Sequence, residues 1–553
     1  MTTAITIGMI IIYVAIMMGI GVYTARQTRS VSDFVLGSHS VGSWLTAFAY
    51  GTSYFSAVVF IGYAGQFGWT YGVSAAWVGV GNALLGSLLA WIVLGRRTRI
   101  MTQSLGAKTM PEYFEKRWNS KGLKIAAALI VFVFLIPYTA SVYNGLSRLF
   151  NMAFQIESEG AYKIIIIVMA LLTAIYVILG GYAATAINDF IQGIVMLIGI
   201  AAVVICAIQN QGGLTSALAA LGEIEVNGKT NTLNSVFGPD PLNLLGVVIL
   251  TSLGTWGLPQ MIHKFYAIKS ENDIKKGAVI STVFALIVAG GSYLLGGFDR
   301  LFCTLTEDGS GKTVISTLSN GKPDFDAMIP SLLHTALPDI LIGLVVVLVL
   351  SASMSTLSSL VLTSSSTLTI DLIKPNLKKC SDKKEMLIMR VLIAVFLVIS
   401  VLLAFNKNAS ISTLMSYSWG ALAGAFLGPF MYGLFSKKIT KPAVWTSFIL
   451  GIGLTLVHMF LFGFGWDPEL SKPAAESGFA DQRRSHHHAA LSDRGAGRQC
   501  PDKGQRSQAR GTGLYLLCSS GKEGLIPQFS LSPNCNLFVM TKFLKNRQFS
   551  PMI

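Results

Sequence analysis

Charge is scarce in this sequence. Asp, Glu, Lys and Arg make up 12% of its 553 residues, against roughly 25% in an ordinary soluble domain, while 52% are hydrophobic and the mean hydropathy is +0.59. That balance excludes a soluble globular chain. Cysteine is equally uninformative. Cys206, Cys303 and Cys380 are scattered, Cys500, Cys518 and Cys535 fall near the C-terminus, and no C-x-x-C occurs, so zinc-ligand spacing is lacking. His263, His334 and His458 stand apart from one another and build no catalytic cluster. "GVGNALLG" (79–86) has the wrong spacing for a dinucleotide loop and lies in an apolar run. A membrane enzyme and a transporter-like sensor are both disfavoured, the second because no kinase or receiver pattern is present.

What the chain has instead is apolar runs of about the 20 residues needed to cross a bilayer. They fall near 5–23, 44–65, 73–94, 124–148, 162–180, 188–208, 242–263, 275–298, 331–369, 388–405, 411–434 and 441–464. The ninth is too long for one straight helix and is expected to include a bent or extramembrane portion. The first is long and has no small-residue cleavage pattern after it, so it reads as a retained span and not a signal peptide. "GALAGAFLG" (420–428) repeats small residues every four positions and reads as a helix-packing face.

The net charge of +15 does not mark a nucleic-acid surface, because it is placed loop by loop. Arg26 and Arg29 follow the first span, "GRRTR" (95–99) and "EKRW" (115–118) the third, "HKFYAIKSENDIKK" (263–276) the seventh and "KPNLKKCSDKK" (374–384) the ninth. The loops between are acidic or nearly neutral: "ESEG" (157–160), Glu223 with Glu225, and "FNKNAS". This is the positive-inside pattern, and it puts the N-terminus outside a cell inner (plasma) membrane. After Trp466 the composition breaks. The tail holds 12 of the 42 basic and 7 of the 27 acidic residues with no span or apolar period, which fits a disordered regulatory tail or, the reading preferred here, a change of reading frame. "HHH" (486–488) is then accidental.

"SASMSTLSS" (351–359) interrupts the ninth run with six hydroxyls. Ser and Thr in membrane helices commonly back-bond to their own helix or allow close packing. They also offer oxygen ligands to a hard cation without a buried carboxylate, provided that carbonyls freed at helix breaks complete the shell. Two breaks are readable. "AFAYGTSYFSAVVFIGYAG" (47–65) carries Gly51, Thr52, Ser53 and Ser56, a kink signature. "TSLGTWGLPQMIHKF" (251–265) has Gly254, Gly257 and Pro259, and proline cannot donate to the helix ladder. Corresponding interruptions five spans apart point to an inverted-repeat transporter. Asp189, in "TAIND", is either an intramembrane functional carboxylate or a cap at the start of the sixth helix.

The second span, "SASMSTLSS" and "LGGYAATAINDFIQGIVMLIG" (179–199) together resemble the sodium/solute symporter family, in particular its bacterial sodium/proline and sodium/pantothenate branches. The resemblance runs from about residue 5 to 464 and implies an all-α polytopic membrane protein, an inverted five-plus-five helix repeat with extra peripheral helices. Residues 1–43 are then a peripheral helix and loop, 44–238 and 239–436 the two repeats, 437–465 a further peripheral helix and 466–553 the basic tail. Members usually have a thirteenth span, and this chain stops resembling them where it is due.

Carried over by position, the resemblance implies a sodium site made by the carbonyls of Thr52, Phe55 and Ala352 and the hydroxyls of Ser355 and Thr356. Ser358 and Ser359 are then supporting or packing residues. Tyr54 stands where the proline symporters have an aspartate. Asp189 falls on the ion's inner exit route, and Ser56, Tyr138, Thr255 and Trp256 fall at the solute site. Thr251 and Thr255 replace aromatics of the proline transporters, and Val58 and Val59 stand where sugar transporters carry polar residues. The expected function is therefore sodium-coupled import of a small carboxylate or amino-acid-like solute by alternating access, with no cofactor beyond Na+ as coupling ion and no obligate protein partner. Proton coupling on the same fold remains the alternative.

Overall fold

The computed structural model describes residues 2–26, 30–37, 41–155, 158–226, 228–307, 311–318, 323–377, 381–405 and 410–463. The basic tail, its two readings, the histidine run at 486–488 and Cys380 lie outside the described residues. The described residues up to Gly453 form one compact body, and Leu454–Gly463 belong to a second unit.

Over its described residues the chain is helical almost throughout. Its principal helices are α1 (Thr2–Ala25), α2 (Ser43–Tyr54), α3 (Ala64–Tyr71), α4 (Lys121–Phe154), α5 (Glu159–Asn210), α6 (Pro241–Leu253), α7 (Pro259–Ala267), α8 (Glu271–Gly296), α9 (Met328–Ala336), α10 (Asp339–Thr367), α11 (Asp382–Ala404), α12 (Ile411–Phe435) and α13 (Lys441–His458). Among the described residues, strand structure amounts to Cys303–Thr304 paired with Thr313–Val314. Eight helical segments among the described residues are long and apolar enough to cross a membrane, nine if the bent pair α6–α7 counts as one. Two of the eight, Val58–Leu105 and Glu159–Asn210, are 48 and 52 residues long, more than one crossing needs. They turn at Gly72 (φ 62°) and Gly181 (φ 55°), backbone conformations that a side chain disfavours. The overlong ninth run resolves as expected into a short helix, α9, and the crossing helix α10, parted at Leu337–Pro338.

Both predicted breaks are present, and their local causes are visible. The seventh span starts at a cap, with the Asp240 side chain accepting from the Asn243 amide and Pro241 in the first turn. It tightens to a 3-10 turn at Gly254–Gly257 and then extends at Leu258 (φ −83°, ψ 122°), as the residue before a proline tends to. Pro259 opens α7 at an angle of 53° to the first half. The second span stops at Phe55 (φ −97°, ψ 121°), and Ser56 restarts it. The Ser56 hydroxyl and carbonyl accept the Val58 and Phe60 amides, and a π-helical stretch, Val58–Tyr63, leads into α3.

Glycine sets how closely these pieces approach. The "GALAGAFLG" face of α12 meets Gly451 of α13 and Gly257 at the break, where an added Cβ would lie 2.4 Å from Gly424 and 2.8 Å from Ala423 backbone. At the loop end of α4, Arg148 Nη1 lies 2.7 Å from Asp324 Oδ2 and Nη2 3.8 Å from Asp326 Oδ2, which also accepts the Ile411 amide at 3.0 Å. Burial pushes the Asp326 carboxyl up to about 6, against the opposing pull of Arg148. The native state therefore keeps a proton that the unfolded chain releases near the ordinary value of about 4. That contribution is full below about pH 4 and lost as pH rises through about 6. The wild type's margin over Asp326→Asn should shrink across that window and be flat above it, read as melting temperature in detergent. A margin independent of pH would contradict the assignment.

Candidate functional site

The break in the second span faces α10, which packs against α2, α4 and α5, whereas the break at Gly254–Gly257 packs on α12 and only the half-helix after it, α7, reaches α10. Ending α2 at Phe55 frees the last carbonyls of its helix. The Thr356 hydroxyl of α10 donates to two of them, Thr52 O at 3.4 Å and Phe55 O at 3.3 Å. The Thr52 side chain is not part of this cradle, because its own hydroxyl back-bonds to Phe48 O at 2.8 Å. Ala352 and Ser355 lie on α10, four and one residues before Thr356, and both are fully buried. The Ser355 hydroxyl makes no hydrogen bond and lies beside the Asp189 carboxylate. Ser358 back-bonds to Ser355 O. Of the carbonyl–hydroxyl group that the resemblance implies, three oxygens meet at the break, those of Thr52, Phe55 and Thr356, while Ser355 and Ala352 stand on the same helix.

Asp189 sits inside α5, eight residues beyond the turn at Gly181, and is completely buried. It does not cap the sixth span. The helix runs through it, and the non-helical residue is Gly181. Its partner is one that the sequence reading misplaced. Lys264 belongs by sequence to a basic loop, yet it lies in α7, 2% exposed, with Nζ 3.5 Å from Asp189 Oδ2 and 3.0 Å from Ser359 Oγ. Ser359, expected only to pack or support, belongs to this charged network. The signal was available: Lys264 falls five residues after Pro259, on the helix that a break at the proline must start.

The expected solute residues divide. Tyr138 is buried with a hydroxyl that makes no hydrogen bond, near Ser56 and Trp419, whose ring it meets edge-on at 6.2 Å. Thr255 and Trp256 are committed to the break itself: Thr255 Oγ1 donates to Ser252 O at 2.7 Å and Trp256 Nε1 to Leu85 O at 3.0 Å. Trp419 of α12 was missed, since one aromatic in an apolar helix carries no periodic signal. Its indole nitrogen is buried without a partner and its ring lies 3.9 Å from where a Gly254 side chain would begin. The hydroxyl of Tyr54 is also buried and without a hydrogen bond. Among the described residues, no group of three or more His, Cys, Asp or Glu could hold a metal ion.

Broken helices that bring carbonyls and hydroxyls together inside a multi-pass helical body are the pattern of a secondary transporter. The chain belongs to the sodium:solute symporter family, which matches residues 34–451. It is 30% identical over 459 residues to the sodium/proline symporter of Staphylococcus aureus strain JH9, covering 81% of this chain and 85% of that one. The same figures hold for the symporter of strain NCTC 8325 / PS 47. The structure of a Na+-coupled sialic acid symporter in a substrate-bound, outward-open state matches with a TM-score of 0.65 at 18% identity, over 83% of this chain and 92% of that one. The fold is accordingly the sodium-symporter fold of two inverted five-helix repeats, and the activity is sodium-coupled solute symport across a membrane.

Proposed function

We propose that this symporter imports a small carboxylate or amino-acid-like solute across the plasma membrane, with Na+ held by the carbonyls of Thr52, Phe55 and Ala352 and the hydroxyls of Ser355 and Thr356. The observation that carries the reading is the Thr356 hydroxyl donating to both Thr52 O and Phe55 O across the break. A hard cation placed between them finds oxygens from both helices at once and holds α10 to the broken span. Residues 44–238 and 239–436 are the two repeats in this reading, flanked by peripheral helices, and the basic loops face the cytoplasm with the N-terminus outside.

The solute lies between the breaks, against Tyr138 and Ser56, with Thr255 and Trp256 shaping the wall. The Tyr138 hydroxyl and the Trp419 indole nitrogen, both buried without a hydrogen bond, offer donors that suit a carboxylate. The Thr251 hydroxyl, at a position where proline transporters carry an aromatic, hydrogen-bonds Asn82 Oδ1 at 3.2 Å, so this wall is polar. Na+ moving down a potential of 100 mV contributes about 2.3 kcal/mol per charge. Asp189 then receives the ion on its way to the cytoplasm. The test is uptake into proteoliposomes of labelled small carboxylates and amino acids, each driven by an inward Na+ gradient or by an inward proton gradient alone. Accumulation with Na+ and none with the proton gradient is expected. Accumulation with protons alone would replace sodium by proton coupling, and uptake confined to sugars would overturn the solute class.

A further inference from the structure

Lys264 is a buried ammonium with three kinds of partner: the Asp189 carboxylate of α5, the Ser359 hydroxyl of α10 and the face of the Tyr182 ring, 5.3 Å away. A long cation enclosed this completely is stable only where its charge is matched, and Asp189 is the carboxylate that matches it. The network continues with direction. Lys264 donates to Ser359, Ser359 lies 2.8 Å from Ser53, and Ser53 donates to Ala49 O at 2.6 Å. One ammonium thereby ties α7, the second half of one broken span, to α5 and α10, and through Ser359 to α2, the first half of the other. Ser53 adjoins Thr52, Ser359 is three residues from Thr356, and Asp189 lies beside Ser355, so the network borders the proposed sodium cradle on its basic-loop side.

We propose that Lys264 is a tethered competitor for Na+ on the release path: its ammonium occupies Asp189 until an ion leaving the cradle displaces it, and its return expels the ion and closes the path. The proposal rests on the sodium reading above. A single carboxylate cannot satisfy two cations at full strength, because the cations repel each other at short range. Ion and lysine therefore alternate. Since Lys264 also holds α7 to α5 and α10, each displacement loosens the basic end of the bundle at the moment when the ion must pass.

The test needs no solute. Binding and dissociation of radiolabelled Na+ are measured on the purified full chain in detergent, for wild type, Lys264→Gln, Lys264→Arg and the charge-neutral pair Lys264→Gln/Asp189→Asn. Removing the competing charge should tighten Na+ binding roughly tenfold, the size of effect a neighbouring charge exerts over this range, and slow its dissociation in proportion. The Arg variant should stay within about twofold of wild type, and the double variant should lose the gain. If Lys264→Gln does not fold, the double variant, which leaves no unpaired charge, decides the matter: Na+ binding within about twofold of wild type supports competition at Asp189, because the contested carboxylate and its competitor are lost together, and binding weakened tenfold or more overturns it. A folded Lys264→Gln with unchanged or weaker affinity overturns the proposal while leaving the sodium reading intact. A wild type that binds no Na+ overturns both.

Discussion

The double variant Ser355→Ala/Thr356→Ala should lose saturable Na+ binding, with any residual binding weakened at least thirtyfold or so. Each hydroxyl removed takes one oxygen from a buried cation, and the loss of Thr356 also strips Thr52 O and Phe55 O of their partner, at a cost of about 1–3 kcal/mol for each group. Two such losses span roughly 2–6 kcal/mol, and about 2 kcal/mol is already a thirtyfold change. Two neighbours serve as internal controls. Ser358→Ala should bind Na+ normally, because that hydroxyl is turned back to Ser355 O. Thr52→Ala should as well, because only the carbonyl of Thr52 faces Thr356 and its hydroxyl serves Phe48 O. Labelled-ion binding to the purified chain reads all three. Equal losses in the controls would mean that helix packing, not ligation, had been disturbed.

Gly68→Val should cost the protein its fold. A Cβ at Gly68 would lie 2.0 Å from both the carbonyl carbon and the oxygen of Gly296, and the reverse approach, from Gly296, meets Ala64 O at 2.1 Å. No flexible side chain stands between to give way. α3 and α8 must separate by more than an ångström, and the break in the second span moves with α3. Ordinary overpacking costs about 1–3 kcal/mol, and a backbone-to-backbone clash exceeds that range. The expected result is loss of the monodisperse detergent-solubilised species on size exclusion. Gly246→Ala, with nothing within 4 Å of its added carbon, should behave as wild type. A monodisperse Gly68→Val with unchanged melting would refute this account of the crossing.

Much of this architecture was legible because its signals are local. Gly254, Gly257 and Pro259 dictate a break through backbone chemistry, and the structure puts it at the residue before the proline. Gly51 to Ser56 mark a second, one that ends at Phe55. The hydroxyls of Ser355 and Thr356 stood out against an apolar run. What was not legible depends on contacts between distant segments. Lys264 adjoins a basic loop, so its charge argued for solvent; nothing local indicates that α5 brings a carboxylate to it. Asp189 carried a cap-like sequence, yet the turn that a cap would follow lies at Gly181. The side-chain chemistry of Thr255 and Trp256 suits a solute site, yet both are occupied by the backbone of their own and a neighbouring span. Trp419 gains its place only when α12 meets the break and Tyr138.

The turn at Gly181 has a consequence for biogenesis. The fifth and sixth crossings follow each other without a polar linker, and the turn is buried against Phe34, whose carbonyl oxygen lies 2.7 Å from where a Gly181 side chain would begin. Phe34 belongs to the short helix Val31–Leu36, made long before either crossing emerges from the ribosome. The order of synthesis therefore favours insertion of the two crossings as one hairpin, whose bend closes on a segment made before it.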